Sequence, residues 1–293
     1  MTEDAWLAER FEENRNHLRA IAYRMLGSLS EADDAVQESW LRLSRSDVGR
    51  IENLGGWLTT VVGRVCLDML RSRRAQRAES LDARASGPIP IRDNRIDPED
   101  EAVLADSVGL ALLVVLDKLT PAERLAFVLH DMFDLSFEEV ASIVGRSPAA
   151  ARQLASRARR RVQGARTAPN ADLTRQREVV EAFVAASRRG DFEALLAVLD
   201  RDVVLRADAV AAPPDGTVIR GAAEVAKGAL GYSSRARFSQ PALVNGVVGV
   251  VVAPRGRLFL VLDMKVARGR IVEIDLVGDR DRLRLLDLAM LGN

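Results

Sequence analysis

The chain has 293 residues, of which 48% are hydrophobic and 29% charged, a composition that excludes general disorder and provides for two or three domains. Its 42 basic residues equal its 42 acidic residues, so a basic surface requires local clustering of arginine. A lone Cys66 excludes an internal disulfide, and His17 and His130 lack ligand spacing, so we expect no metal site and no cofactor.

The first 77 residues are predicted to form three helices. "LAERFEENRNHLRAIAYRMLGSL" has helical spacing and ends at Gly27, "SEADDAVQESWLRLSRS" follows with Ser30 as its N-cap, and "NLGGWLTTVVGRVCLDMLRSRRAQR" becomes basic at its end. The N-terminus lacks the apolar core of a signal peptide, and no apolar run approaches a membrane span. We therefore expect a cytoplasmic protein with no membrane partner.

A second all-α domain is predicted over residues 102–166, after a linker at residues 78–101. Its helix starts are marked by the capping boxes "TPAE", with Thr120 at the N-cap, and "SFEE", with Ser136 at the N-cap. A third helix starts at "SP", and Gly145 supplies the turn before it. This pattern predicts a helix-turn-helix.

The second helix of that motif concentrates arginine. Residues 152–166 contain six arginines and no acidic residue, whereas Ala151, Leu154 and Ala158 are expected in the core. Gln and Arg side chains bond base edges, and arginines bond phosphates. The alternative is a solvated arginine face that complements the helix dipole. The candidate DNA contacts are Arg152, Gln153, Ser156, Arg157 and Arg160.

Two other surfaces are candidates for binding. The third helix carries an aromatic and basic set that suits unstacked bases, although Trp57 also fits a core position: Trp57, Thr60, Arg64, Arg71, Arg73 and Arg74. The second helix carries an acidic set, either solvated or a docking patch for a basic partner: Asp33, Asp34, Gln37, Glu38 and Trp40.

The pattern changes after a second linker at residues 167–172. Residues 173–293 are predicted to be α+β, with two helices joined at "RRGD" and strand-like runs such as "LVNGVVGVVVA" and "RIVEIDLVG". The stretch "DRDRLRLLDLAML" is predicted to close the chain as a helix.

Three of these motifs, taken in order, resemble the extracytoplasmic-function (ECF) group of bacterial RNA polymerase sigma factors. "EADDAVQESWLRL" resembles the domain 2 helix that docks on the polymerase clamp, and "WLTTVVGRVCLDMLRSRR" resembles the helix that reads the −10 element. "LTPAERLAFVLHDMFDLSFEEVASIVGRSPAAARQLASRARRRV" resembles domain 4, which reads the −35 element. The resemblance implies a promoter-specific initiation factor that binds promoter DNA and the clamp and flap of core polymerase. Many relatives have Asn at the position of Arg64, so the −10 preference does not transfer.

The C-terminal part resembles the SnoaL-like branch of the NTF2-like fold, a cone with a pocket. Sigma factors with this appendage, including the sigma J type, form a subgroup, but the Asp-Gly-Gly-Gly-Lys motif of some relatives is absent from "RADAVAAPPDGTVIRG". The polar residues that are candidates for a pocket, with a small ligand as candidate partner, are Asp202, Arg206, Asp208, Lys227 and Asp263.

Two other functions compete with a sigma factor. In the first, the C-terminal domain is an isomerase or hydrolase, with a pocket carboxylate as general base. No histidine follows His130, so we expect no enzyme and a regulatory C-terminal domain instead. The second is a helix-turn-helix repressor, which leaves the acidic helix and the Trp57 helix without a role.

Overall fold

A computed structural model describes residues 3–47, 51–80, 109–164, 171–212 and 216–291. The described residues form two compact units, the first within residues 1–102 and 116–159, the second within residues 103–115 and 160–293. Within the described ranges, no helix is long and apolar enough to cross a membrane.

The first unit begins with three mutually packed helices, α1 (Glu3–Leu26), α2 (Leu29–Leu43) and α3 (Leu54–Ser80). Gly27 ends α1 at a positive φ of 71°, as the sequence predicts. The predicted N-cap at Ser30 is wrong, because α2 begins at Leu29 and its N-cap residue is Ser28. The Cys66 thiol is buried in this bundle, and burial raises its pKa to about 12.

Four helices follow: α4 (Leu110–Asp117), α5 (Pro121–Phe127), α6 (Phe137–Val144) and α7 (Pro148–Gln163). Both predicted capping boxes are confirmed, and Gly145 adopts the left-handed conformation at the end of α6. A π-helical turn over Val128–Met132, which the sequence analysis does not predict, joins α5 to the loop before α6. Most of α4 (residues 110–115) and the last turn of α7 (residues 160–163) belong to the second unit.

The second unit is α+β. Its helices are α8 (Ala171–Arg189), α9 (Phe192–Val198), α10 (Ala222–Gly231), α11 (Ser233–Ala236) and α12 (Arg280–Leu285). Its strands are β1 (Leu199–Ala207), β2 (Thr217–Arg220), β3 (Ser239–Val244), β4 (Val247–Val252), β5 (Leu260–Ala267), β6 (Arg270–Val277) and β7 (Leu288–Ala289). They form one mixed sheet in the order β2-β1-β6-β5-β4-β3-β7, in which β1 and β6 are parallel.

Apolar side chains from the helices and from one face of this sheet form its core, including Phe183 of α8, Leu195 of α9, Val225 of α10 and Met264 of β5. The prediction of all-α domains followed by an α+β domain is confirmed. The predicted closing helix is partly wrong, because α12 ends at Leu285 and the chain then forms β7, which pairs with β3.

The linkers predicted between domains fall mostly outside the described residues. α3 continues to Ser80, and residues 81–101 of the first predicted linker lie outside the described ranges. In the second, residues 167–170 lie outside them, and α8 has already begun at Ala171.

Candidate nucleic-acid interface

The predicted recognition helix, α7, has one apolar and one polar face. Ser147 starts it by accepting a hydrogen bond of 3.3 Å from the Ala150 amide, and Pro148 is its first residue. The side chains predicted for the core are buried, together with Ala155 and Val162. The five predicted DNA contacts are exposed and recur at the i, i+4 and i+8 spacing of one helix face: Arg152, Gln153, Ser156, Arg157 and Arg160.

The charges on α7 have different surroundings. The Arg152 guanidinium lies 4.9 Å from the centroid of the Phe137 ring, and the Arg157 guanidinium lies 3.9 Å from a Glu123 carboxylate oxygen. Arg159 forms an ion pair with Asp131. Among the described residues, no hydrogen bond engages the side chains of Gln153 and Ser156. Those two polar groups are therefore available to an incoming ligand without losing a partner in the chain.

Residues outside the predicted set position this helix pair. The His130 ring stacks on Phe137 at 3.8 Å between centroids, and its Nδ1 lies 2.7 Å from the Leu135 carbonyl oxygen. Ser136 holds the pKa of the Glu139 carboxyl below its usual value by hydrogen bonding to it. The capping box could be predicted from the sequence. The stacking of His130 on Phe137 could not, because it depends on the π-helical turn, for which the sequence has no local motif.

α3 presents only part of its predicted set to solvent. Arg71 and Arg74 are exposed, and half-buried Trp57 borders an open cleft with Asn53. Arg71 lies 3.6 Å from Asp68 of the same helix, a surface pair that solvent weakens. The hydroxyl of half-buried Thr60 donates a hydrogen bond of 3.0 Å to the Gly56 carbonyl. α3 therefore carries an aromatic ring beside a cleft near its start and two exposed arginines near its other end.

Two arginines of the α3 set are engaged within the first unit. Arg73 donates to the Leu26 carbonyl at 3.3 Å and pairs with Glu31, so it caps the end of α1. Arg64 is exposed, but its guanidinium donates to the Ser142 carbonyl of α6 at 3.0 Å. The structure therefore does not place all six α3 side chains on one free surface.

The predicted polymerase-binding set lies along α2. Asp34 and Gln37 are exposed, whereas Asp33 pairs with Arg19 at 2.7 Å. Glu38 pairs with Arg42 at 2.9 Å, one turn along the same helix. The Trp40 ring packs edge-on against Phe11 with centroids 5.1 Å apart, so it also contributes to the bundle core.

The five pocket candidates of the C-terminal domain do not converge on one cavity. Asp208 accepts backbone hydrogen bonds from the 210–211 turn and from Gly278 and Asp279 at 2.9–3.2 Å, which gives it a structural role. Lys227 is exposed on α10 and pairs with Glu224, and Asp202 is exposed on β1.

Arg206 and Asp263 lie on the sheet face opposite the one that packs on the helices, because Met264 and Ile274 occupy the core face. Arg206 pairs with Glu273 there. Asp263 stands directly across from Asp275, and partial burial, together with that like charge, raises its pKa. Arg206 and Asp263 therefore share the outer sheet face, on either side of Asp275, whereas the other three candidates lie elsewhere in the domain.

Two family models match the all-α part of the chain. Sigma-70 region 2 matches residues 10–76, and Sigma-70 region 4 matches residues 109–162. The first match contains α2 and most of α3, and the second contains the helix-turn-helix and all five candidate residues on α7.

Full-length relatives match as well. The probable ECF RNA polymerase sigma factor SigI of Mycobacterium tuberculosis (strain CDC 1551 / Oshkosh) is 36% identical over 276 residues, covering 92% of this chain and 90% of SigI. The ECF RNA polymerase sigma factor SigJ of Mycobacterium tuberculosis (strain ATCC 25618 / H37Rv) is 39% identical over 251 residues, covering 83% and 80%. The crystal structure of Mycobacterium tuberculosis SigJ covers 94% of this chain and 98% of that chain, at 34% identity and a TM-score of 0.46.

The predicted resemblance to ECF sigma factors is thus confirmed, and the similarity to SigI extends over nearly the whole chain. The factor acts with core RNA polymerase and promoter DNA. The chain belongs to the extracytoplasmic-function RNA polymerase sigma factors, which direct the core enzyme to specific promoters and initiate transcription there.

Proposed function

We propose that the exposed face of α7 reads the −35 element of the promoter and that α3 contacts the −10 element. The observation that carries this proposal is the polar face of α7. This face follows α6, which has a capping box at Ser136 and a left-handed Gly145 at its C-terminus. It carries five side chains of the types that bond base edges and phosphates. An α-helix with such a face fits the major groove.

We assign a different DNA contact to each α7 side chain according to its surroundings in the structure. Gln153, exposed and without an internal partner among the described residues, is the base reader, because a Gln amide bonds both edge atoms of adenine. Arg160 follows two turns later and neutralises a phosphate. Arg152 and Arg157 exchange their contacts with Phe137 and Glu123 for DNA.

On α3 we assign the −10 contacts to Trp57, Thr60, Arg64, Arg71 and Arg74. The cleft beside Trp57, which Asn53 and Glu52 also line, has the aromatic wall and polar groups that suit an unstacked base. Arg73, in contrast, is assigned to the structure of the bundle, since it holds the end of α1.

The polymerase contact is assigned to α2. Asp34 and Gln37 face solvent and provide the direct contacts with the clamp, whereas Asp33 and Glu38 are shared with arginines of the bundle. Trp40 sets the angle of α2 through its contact with Phe11. Region 4, the matched residues 109–162, docks on the flap.

We further propose that the C-terminal domain, residues 173–293, modulates the factor through region 4. Within the second unit, the Gln240 side chain of β3 accepts a hydrogen bond of 2.8 Å from the Ala111 amide at the start of α4. The Met290 amide donates to the Val162 carbonyl at the end of α7, also at 2.8 Å. Both contacts satisfy backbone groups that a helix end leaves unpaired.

The same proposal assigns sigma domain 2 to residues 1–77 and sigma domain 4 to residues 102–166. It places the protein in the cytoplasm, where its polymerase and promoter are. No catalytic activity and no small ligand are proposed for the C-terminal domain, because its five polar candidates are spread over a turn, a helix and the outer sheet face.

Run-off transcription with purified core RNA polymerase and a promoter selected from genomic fragments tests the proposal. We expect a promoter-specific transcript that Gln153→Ala and Arg71→Ala both reduce. Arg189→Ala, an exposed arginine on α8, is the matched control and should leave the transcript unchanged. Absence of any promoter-specific transcript with the wild-type protein would overturn the proposal.

A further inference from the structure

A basic stretch of the C-terminal domain lies outside every set of contacts assigned above. Residues 225–262 contain five basic residues and no acidic residue, although the whole chain has equal numbers of both. Three arginines of this stretch are exposed: Arg235 in α11, Arg237 just after it, and Arg257 in the turn between β4 and β5. Among the described residues, none of these three guanidinium groups takes part in an ion pair. Their positive charge is therefore available to an anionic partner.

Strand pairing brings the two segments that carry these charges together. Ser239, the first residue of β3, pairs with Val252, the last residue of β4. Val252 also pairs with Leu260, the first residue of β5. The segment with Arg237 and the turn with Arg257 therefore lie at the same end of the sheet.

Aromatic rings border the arginines at this end of the sheet. The Arg235 guanidinium carbon lies 5.8 Å from the ring centroid of Tyr232 and 5.5 Å from that of Phe259. The Arg237 guanidinium carbon lies 4.7 Å from the ring centroid of Phe238. Such a contact uses the face of the guanidinium and leaves its N–H groups to bond a phosphate. It also limits the side-chain conformations, so less entropy is lost when a ligand binds.

The backbone of this segment is anchored to the helical layer. Arg188 of α8 donates to the Ala236 carbonyl at 3.2 Å and to the Ser239 carbonyl at 2.5 Å, on either side of Arg237 in the chain. The Ala236 amide donates to the Tyr232 carbonyl at 3.1 Å. The arginines therefore project from a fixed surface, the basic patch, which consists of Tyr232, Arg235, Arg237, Arg257 and Phe259.

The basic patch and the last turn of α7 belong to the same unit. The Met290 amide, which follows β7, donates to the Val162 carbonyl of α7, and β7 pairs with the end of β3 away from the basic patch. The six residues of β3 span roughly 20 Å, which is less than one turn of duplex DNA, about 34 Å. A promoter duplex that contacts exposed Arg160 in that turn of α7 is therefore long enough to reach the basic patch as well.

We propose that the basic patch is a further DNA-contact surface, which binds the phosphate backbone of the duplex beside the −35 element. The inference rests on the proposed assignment of α7 to that element. DNA is favoured over an acidic protein because α7 holds promoter DNA close to this unit. Contacts with phosphates carry no sequence information, so the basic patch adds affinity and does not select the promoter.

The salt dependence of promoter binding tests this inference. The double variant Arg235→Gln with Arg237→Gln removes two positive charges from the basic patch. In complex with core polymerase, its slope of log affinity against log salt should be shallower than that of the wild type by about two, because two fewer phosphates are neutralised. Arg201→Gln with Arg220→Gln removes the same charge from exposed positions on β1 and β2, across the sheet from β3, and should leave the slope unchanged.

Cleavage of DNA from a tethered reagent locates the contact. Gly231, next to Tyr232, is exposed, and a Cβ added there would meet no atom within 4 Å, so Gly231→Cys introduces a thiol without a clash. Cys66 is buried and its pKa is raised to about 12, so only the new thiol reacts with an iron–EDTA label. On addition of peroxide and ascorbate, we expect cleavage of the duplex beside the −35 element. The same label on Arg201→Cys should give none.

A lysine variant distinguishes lost charge from lost packing. Arg235→Lys with Arg237→Lys keeps both charges and should retain the wild-type slope. A slope as shallow as that of the glutamine variant would show that the arginines support the fold of the patch, and it would contradict the inference.

The outcomes separate this inference from the proposed function. An unchanged slope in the glutamine variant, or absence of cleavage from position 231, overturns the inference and leaves the proposed function standing. Equal changes in the patch and control variants overturn it too, because net charge alone then explains the effect. Weaker binding of the glutamine variant to core polymerase without DNA would assign the patch to an acidic protein surface instead. A wild-type factor that binds no promoter removes both proposals.

Discussion

Arg152 on α7 lies over the ring of Phe137 on α6, with its guanidinium carbon 4.9 Å from the ring centroid. A cation over an aromatic face at an exposed site stabilises by about 0.5–1 kcal/mol. The same ring stacks on His130, so the arginine contributes to a cluster that braces the helix-turn-helix. Replacing Arg152 would change both DNA contact and support, which makes its neighbour Gln153 the cleaner test of recognition.

Gln153→Ala should relax sequence preference at one base pair of the −35 element. A well-formed pair between a Gln amide and a base edge contributes about 1–3 kcal/mol of discrimination, and the side chain is exposed, so stability should be unaffected. Fluorescence anisotropy with a set of singly substituted promoters measures the effect. Equal loss of affinity for every promoter would show that Gln153 reads no base.

Arg160→Ala should weaken binding to all promoters alike. If Arg160 neutralises one phosphate, its loss reduces the slope of log affinity against log salt by about one, because one fewer counterion is released. Affinity measured between low and moderate salt gives this slope, with Arg189→Ala on α8 as the control. An unchanged slope would place Arg160 away from the DNA backbone.

Asp208→Asn should reduce the acid sensitivity of the C-terminal domain. Burial acts to raise the pKa of Asp208, but the amides of Asp279, Ala211 and Gly278 and the charge of Arg282 outweigh it, so the pKa lies below its usual value. A lowered folded-state pKa stabilises above the unfolded pKa of about 3.9, and that stability is lost as the pH falls through the folded pKa.

Urea unfolding at pH 7 and pH 3, followed through the Gly278 and Asp279 amide signals, measures this dependence. The variant should lose roughly 1–3 kcal/mol at pH 7, since an Asn cannot accept all the bonds that the carboxylate accepts, and the difference between the two pH values should shrink. Asp281→Asn, whose carboxylate is largely exposed, is the control. A pH dependence equal to that of the wild type would contradict the assignment.

Local signals explain why the helix-turn-helix was predictable. The boxes at Thr120 and Ser136 and the turn at Gly145 are each complete within a few residues, so their geometry follows from sequence spacing. The role of Arg73 was not predictable in this way. Arg73 stands in a run of arginines that the sequence alone does not distinguish, and only the fold brings it to the Leu26 carbonyl, far away in the chain.

The pocket candidates of the C-terminal domain were also predictable only where local sequence determines their position. Alternation along β5 and β6 predicts that Asp263 and Asp275 share a face, but which face packs on the helices depends on the whole sheet. Asp208 falls at the end of β1, where it meets the turn after β6 because those two strands are parallel neighbours. The order of the strands in the sheet is set by pairing between residues far apart in the chain, so it could not be predicted from a local motif.

Gln240→Ala should loosen the start of α4. The Gln240 oxygen accepts from the Ala111 amide at 2.8 Å, and Gly109, which precedes the helix, has a positive φ of 77°. A side-chain acceptor at a helix N-terminus contributes about 1 kcal/mol, so its removal should speed exchange of the Ala111 amide roughly fivefold. Hydrogen exchange measured by NMR checks this, and Gln163→Ala, at an exposed position on α7, should not change it. An unchanged exchange rate of the Ala111 amide in Gln240→Ala would show that the C-terminal domain does not support region 4 through this contact.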